Sequence, residues 1–199
     1  MNLMLSVIVL LVTTSIATII NYFIIPRLLY SLRAVRRVID PLARYEGFWM
    51  HYIYPEDSND ERACGIISFS YDRYEKSYLF SGENYSAEGK IISSFQVRNI
   101  NFDKQINGFR YWGLVKEQEN AAFSCYGELS FVETGTRLIQ SANGMFINNS
   151  KSFVRAKYHT ERISLNHKKP YTLPRGLETI QSRANYASKK YKESINLFN

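Results

Sequence analysis

The chain is poor in the residues on which most enzymes and secreted scaffolds are built. Among 199 residues there are two cysteines, Cys64 and Cys125, and three histidines. None stands at a short metal-ligand spacing, so no metal is assigned. In a reducing compartment the two cysteines read as buried thiols rather than a disulfide. No glycine-rich phosphate loop opens a helix, and neither His-Glu-x-x-His nor Gly-x-Ser-x-Gly occurs. The acids Glu56, Asp57, Asp60 and Glu61 cluster in one loop, but acids in a turn are ordinarily solvated and a cation site needs ligands from elsewhere. There is no internal repeat and no long low-complexity run. The expectation is a non-enzyme without a cofactor.

Charge is also missing at the amino terminus. From Met1 to Pro26 no residue is charged, and Arg27 is the first. As a helix this stretch is ~39 Å long against a hydrocarbon core of ~30 Å, and it is read as a transmembrane helix. A cleaved signal peptide is the alternative: Ser15 and Ala17 are small enough for a cleavage site. However, the run from Ile19 to Ile25 stays apolar, and no Lys or Arg precedes the segment. Arg27, Arg33, Arg36, Arg37 and Arg44 follow it closely. By the positive-inside rule they place the amino terminus outside and the rest in the cytoplasm. The expected topology is single-pass, with a cytoplasmic carboxy-terminal domain.

Four segments follow from composition and period: 1–26 as the membrane helix, 27–44 as a basic juxtamembrane helix, 45–163 as the folded domain, and 164–199 as a basic tail with a weak helix. In the second, Leu28, Leu32, Val35 and Ile39 share a helical face, arginines lie off it, and Pro41 ends it. In the tail, Lys168-Lys169-Pro170 is followed by Leu177, Ile180 and Ala184 at helical spacing. The net charge of +7 suits an anionic partner: a lipid surface, a nucleotide or nucleic acid.

What the chain does have is aromatic rings, 15 Tyr and 12 Phe, which favour strands. From Tyr45 the hydrophobic period changes from 3.6 to 2. Strands are expected at Glu46–Tyr54, Ala63–Tyr71, Tyr78–Gly82, Ile91–Ile100, Gly108–Lys116, Ala121–Val132, Arg137–Ala142 and Phe153–Thr160. Turns are expected at Pro55–Asp60, Ala87–Lys90, Asn107-Gly108, Glu133–Thr136 and Asn148–Lys151. Phe123, Cys125, Gly127, Leu129 and Phe131 alternate with polar residues, giving one dry face. The fold class is therefore an N-terminal transmembrane α-helix plus an all-β domain, a small antiparallel β-barrel of about eight strands. Closure removes the edges that would otherwise aggregate.

Polar residues in phase with apolar ones are the candidate ligand-binding groups, because a polar group inside a barrel needs a partner. His51 falls in phase with Trp49 and Ile53, Tyr71 with Ile67 and Phe69, and Asn99 with Phe95 and Val97. Arg110 and Trp112 are grouped with Leu114, and Tyr158 with Val154 and Ala156. Arg110 offers a phosphate grip and Trp112 a stacking face. Arg98 and Arg155 read as outward. The Gly47-x-Trp49 opening is similar to the start of many small ligand-binding barrels.

An apolar anchor, a basic juxtamembrane segment and a lone β-rich domain opening on Arg-Tyr-Glu-Gly-Phe-Trp-Met-His-Tyr (44–52) together resemble one family. It is that of the transmembrane β-barrel effectors of bacterial CBASS antiphage systems, the SMODS-associated two-transmembrane, β-strand-rich effectors. The late run Ser-Phe-Val-Arg-Ala-Lys-Tyr-His-Thr-Glu-Arg (152–162) belongs to the same likeness. Members commonly carry two transmembrane helices, and this chain has one run long enough. The resemblance implies a barrel that binds a cyclic oligonucleotide made by a partner nucleotidyltransferase. It further implies homo-oligomerisation on activation and disruption of the lipid bilayer, with no nucleic acid polymer as partner. Two other readings stay open: a membrane-tethered, lipocalin-like carrier or sensor of a small apolar ligand, and a structural subunit of a membrane complex.

Overall fold

The apolar amino-terminal run is a helix, but it does not stop at Pro26. In the computed structural model α1 (Leu3–Ile19) passes through a π-helical turn, Ile20–Ile24, into α2 (Ile25–Ser31). Pro26 lies in the first turn of α2. It has no N–H to donate, and the wider turn before it, in which the Ile25 N–H reaches the Ile20 carbonyl, absorbs the mismatch. The stretch Ser6–Ser31 is the one helix among the described residues long and apolar enough to cross a membrane, and none of its most apolar window is buried. The structure describes residues 3–55, 63–117, 122–132, 139–148, 155–163 and 173–195.

The expected juxtamembrane helix is broken. Leu32 is extended (φ −82°, ψ 115°) between α2 and α3 (Arg33–Ile39). Leu28 lies on α2, Ile39 on α3 and Leu32 at the break between them, so the three do not share one continuous helical face. Arg36 reaches back across the break and donates to the carbonyls of Tyr30 (2.8 Å) and Ser31 (3.0 Å), closing the open end of α2. α3 ends before Pro41, as expected for a pre-proline residue. The chain divides into two compact units, Met1–Ala43 and Arg44–Asn199.

The second unit is a closed eight-stranded antiparallel barrel. Its strands are β1 (Gly47–Pro55), β2 (Ala63–Asp72), β3 (Ser77–Tyr85), β4 (Ile91–Asp103), β5 (Gly108–Glu117), β6 (Ala122–Val132), β7 (Ser141–Asn148) and β8 (Arg155–Arg162). They pair in sequence order and β8 closes on β1. The seventh strand lies several residues later than Arg137–Ala142, because it must bring Ala142, Gly144 and Phe146 opposite the dry face of β6. At Asn107-Gly108 the connection is the four-residue turn 104–107 with Asn107 at φ 44°. Gly108 already lies in β5, where a Cβ would collide with the Leu129 carbonyl. The acidic loop residues Glu56 to Glu61, the turn Glu133–Thr136, all but Asn148 of the turn Asn148–Lys151, Phe153, Val154 and Lys168-Lys169-Pro170 lie outside the described residues.

Aromatic rings fill the barrel. Phe69 stacks on Phe109 (centroids 5.4 Å), and Phe80 meets Phe95 and Tyr111 at 5.4 Å each. Glycines make room for them: a Cβ on Gly82 would lie 2.7 Å from the Phe95 ring, and Gly127 lies directly under Tyr111. One end is plugged by Tyr45, whose ring packs on Phe109 at 4.7 Å and Trp49 at 5.6 Å. Arg162 holds that plug, donating to the carbonyls of Arg44 and Glu46, each at 2.7 Å, with its guanidinium 4.2 Å from the centre of the Trp49 ring. Segment 44–52 and residues 155–162 of the late run are thus one physical unit. Gly47 sits there at φ 136°, a conformation that favours glycine.

The tail ends in a firmly docked helix, α4 (Ile180–Ile195), rather than a weak one. Ala184, Ala187 and Tyr191 recur at helical spacing and pack on Met50, Tyr52 and Cys64 outside the barrel. Leu177 is buried just before the helix, whereas Ile180 is exposed, so the face actually used is shifted from the expected one. Cys64 and Cys125 are free and buried. Burial pushes their thiols up, to about 12 and about 11 respectively.

Candidate functional site

The six residues singled out in the sequence fall into two groups on opposite sides of the barrel wall. His51 and Tyr158 point inward. Tyr71 is also on the inward phase, half-buried with its ring 5.3 Å from Tyr78. Asn99, Arg110 and Trp112 point outward, which overturns their placement in the interior. Two causes act. In β4 the register shifts between Val97 and Asn99, so Arg98 is an extra residue and every later side chain changes face. In β5 the inward phase belongs to Phe109, Tyr111, Gly113 and Val115, leaving Trp112 59% and Leu114 58% exposed. Arg98 and Arg155 are outward and exposed, as expected.

Two sets of polar contacts hold His51 and Tyr158 inside the barrel. The His51 Nε2 lies 2.7 Å from Asn84 Oδ1, and Asn84 Nδ2 donates to Ser93 Oγ at 2.8 Å. With the amide nitrogen committed to Ser93, the amide oxygen accepts and the His51 proton sits on Nε2. Burial lowers the His51 pKa to about 4, outweighing the opposite pull of the Asn84 bond, so the ring is neutral. Tyr158 donates to the Glu128 carbonyl at 2.9 Å and meets the Tyr111 hydroxyl at 3.2 Å; burial raises both phenols. These groups satisfy one another, the ordinary state of polar atoms in a core. Asn84 escapes sequence reading because the third strand is expected to end at Gly82, three residues before its actual end at Tyr85.

The outer group is assembled by pairing. Asn99 is the cross-strand partner of Trp112, and Trp112 is the partner of Tyr126. The Trp112 and Tyr126 rings lie 4.9 Å apart. Arg110 lies between two carboxylates, Asp103 at 3.0 Å and Glu128 at 3.7 Å, and its side chain remains 44% exposed. The face therefore presents a large π-surface, an amide and a guanidinium together. Tyr126 carries no sequence signal beyond its outward phase on β6.

A cleft of about 290 Å³ lies on the outer face of β2, β3 and β4. Its rim includes Glu83 of β3 and Arg183 of α4, joined by two contacts of 3.0 and 3.1 Å. Burial pushes the Glu83 carboxyl up, but the Arg183 and Tyr85 donors outweigh it and hold the carboxyl below its ordinary range. Among the described residues no three His, Cys, Asp or Glu side chains gather as a metal site.

Fold and site define a class: a closed eight-stranded barrel with aromatic rings packed inside it, on a chain whose described residues include one helix near the amino terminus long and apolar enough to cross a membrane. No protein-family model matches the chain, and no curated protein matches it either.

Proposed function

We propose that the protein is a membrane-anchored effector of antiphage defence. In this reading the barrel faces the bacterial cytoplasm and senses an anionic cyclic oligonucleotide supplied by a nucleotidyltransferase. The chain then assembles into homo-oligomers whose helices breach the inner membrane. The carrying observation is the outward group at Arg110, Trp112 and Asn99 on a chain with a helix long and apolar enough to cross a membrane. A cyclic oligonucleotide offers bases to the aromatic face, and its phosphates draw the Arg110 guanidinium away from Asp103 and Glu128, which hold it at 3.0 and 3.7 Å in the unliganded chain. Recognition belongs outside the barrel, because His51 and Tyr158 are satisfied by other interior groups. The apolar span has no burial within its own chain, which suits assembly through helix–helix contact in a bilayer.

The rings packed on one another inside the barrel, Phe69, Phe80, Phe95, Phe109 and Tyr111, speak against a carrier of an apolar ligand, which needs a continuous cavity. The same observation favours a second reading, a structural subunit whose exposed Trp112 and Leu114 meet another protein.

Calorimetric titration of the full chain in lipid nanodiscs with a panel of cyclic di- and trinucleotides tests the proposal. Binding is expected, weakened by roughly 1.5–3 kcal/mol in Arg110→Ala, the range for a hydrogen bond to a charged group. Absence of binding to every member of the panel overturns the sensing function. Binding that Arg110→Ala leaves unchanged overturns the site.

A further inference from the structure

We propose that the cleft over β2, β3 and β4 is a second binding site, for an uncharged, flat heteroaromatic ring of about purine size. Three hydroxyls converge there, Ser68, Ser81 and Ser94, one from each strand. Ser68 and Ser81 are direct cross-strand partners, and Ser94 faces Glu83, two residues further along β3. None of the three has a side-chain partner among the described residues. Each hydroxyl can donate and accept, so together they match a ring edge that mixes donors and acceptors.

Charge and shape narrow the ligand. The two ionised groups of the lining, Glu83 and Arg183, are spent on each other, so the cleft has no free charge to offer. An anionic group would meet the Glu83 carboxylate without a compensating cation. A purely aliphatic ligand would strip water from three hydroxyls and return no bond. Phe48 and Leu173 supply apolar walls for the faces of a ring. The volume of about 290 Å³ is at the lower end for ligand pockets, enough for one bicyclic ring and too little for a cyclic dinucleotide. This site does not depend on the Arg110 and Trp112 face.

The probe is 2-aminopurine riboside, which is uncharged and fluorescent, titrated into the full chain in nanodiscs. The wild type should give a saturable change in probe emission and anisotropy. Ser81→Leu, which fills the cleft, should abolish it. The triple change Ser68→Ala, Ser81→Ala and Ser94→Ala leaves the space open and should weaken binding about tenfold or more, as expected for three lost hydrogen bonds, with the melting temperature unchanged. The 5′-monophosphate of the same nucleoside should bind no more tightly. The proposal is overturned by no saturable binding to the wild type, by triple-variant affinity equal to wild type, or by tighter binding of the monophosphate.

Discussion

Arg183 clasps Glu83 with two nitrogens, Nε at 3.0 Å from one carboxylate oxygen and Nη2 at 3.1 Å from the other, and this fork fastens α4 to β3. The Tyr85 hydroxyl donates to the same carboxylate. Arg183→Ala should cost about 1–2 kcal/mol, the lower part of the range for charge-assisted bonds because the pair is partly exposed. Glu83 is held below the ordinary carboxylate value of 4.5. Its contribution is therefore complete above that value and is lost as pH falls through the lower native one. Denaturant melts at pH 7 and pH 3 check this: the gap between wild type and Arg183→Ala should narrow in acid.

His51 makes a second, separable acid dependence. The free imidazole titrates at 6.5, while burial lowers the native value to about 4. Between these values the unfolded chain takes up a proton that the native one refuses. Stability should therefore be full above pH 6.5 and fall by up to about 3 kcal/mol as pH drops to 4 and below. His51→Gln, which can still donate to Asn84, should remove this part of the slope in melts followed from pH 7.5 to 4.

Tyr45 tests the plug. Its ring is 1% exposed, yet its hydroxyl has no hydrogen-bond partner among the described residues. A buried orphan hydroxyl costs about 1–3 kcal/mol. Tyr45→Phe should be at least as stable as the wild type. Tyr45→Ala should lose roughly 3–5 kcal/mol, as large core truncations do. Equilibrium unfolding in guanidinium separates the two outcomes.

The two tryptophans should behave as opposites. Trp49 is 2% exposed and Trp112 is 59% exposed. Trp49→Ala should cost roughly 3–5 kcal/mol, whereas Trp112→Ala should stay within about 1 kcal/mol, losing little beyond its packing on Tyr126. A Trp112→Ala loss as large as that of Trp49→Ala would contradict the outward orientation of the β5 side chain.

Charge in the apolar span should block insertion. An arginine at Leu10 or Ile16 costs ~2.5–3.5 kcal/mol near a helix centre on insertion scales. Fractionation of cells expressing Leu10→Arg should move the chain out of the membrane pellet, and with it any toxicity that depends on a membrane lesion.

Residue order alone determined the elements whose signal is local. The uncharged run before Arg27 is legible as an apolar helix because it is long and nothing in it but Pro26 breaks the pattern, and from Leu3 onward it is helical. The alternation from Phe123 to Phe131 admits one dry face and leads to a strand. Eight such strands joined by short turns lead to closure. Tertiary structure alone decided which face each candidate site residue occupies. A single extra residue at Arg98 turns Asn99 outward, and local sequence does not mark a bulge. Arg110 and Trp112 alternate as cleanly as Phe109 and Tyr111 do, so their phase is settled only when the rings of β2 and β3 claim the interior. The same holds for α4: Ala184 lies on the expected face, but Ala187 and Tyr191 look unremarkable in a polar tail, and they become core because Met50 and Cys64 present an apolar surface that only pairing of β1 with β2 creates. A period records that a face is dry, but the partners across the barrel decide which face that is.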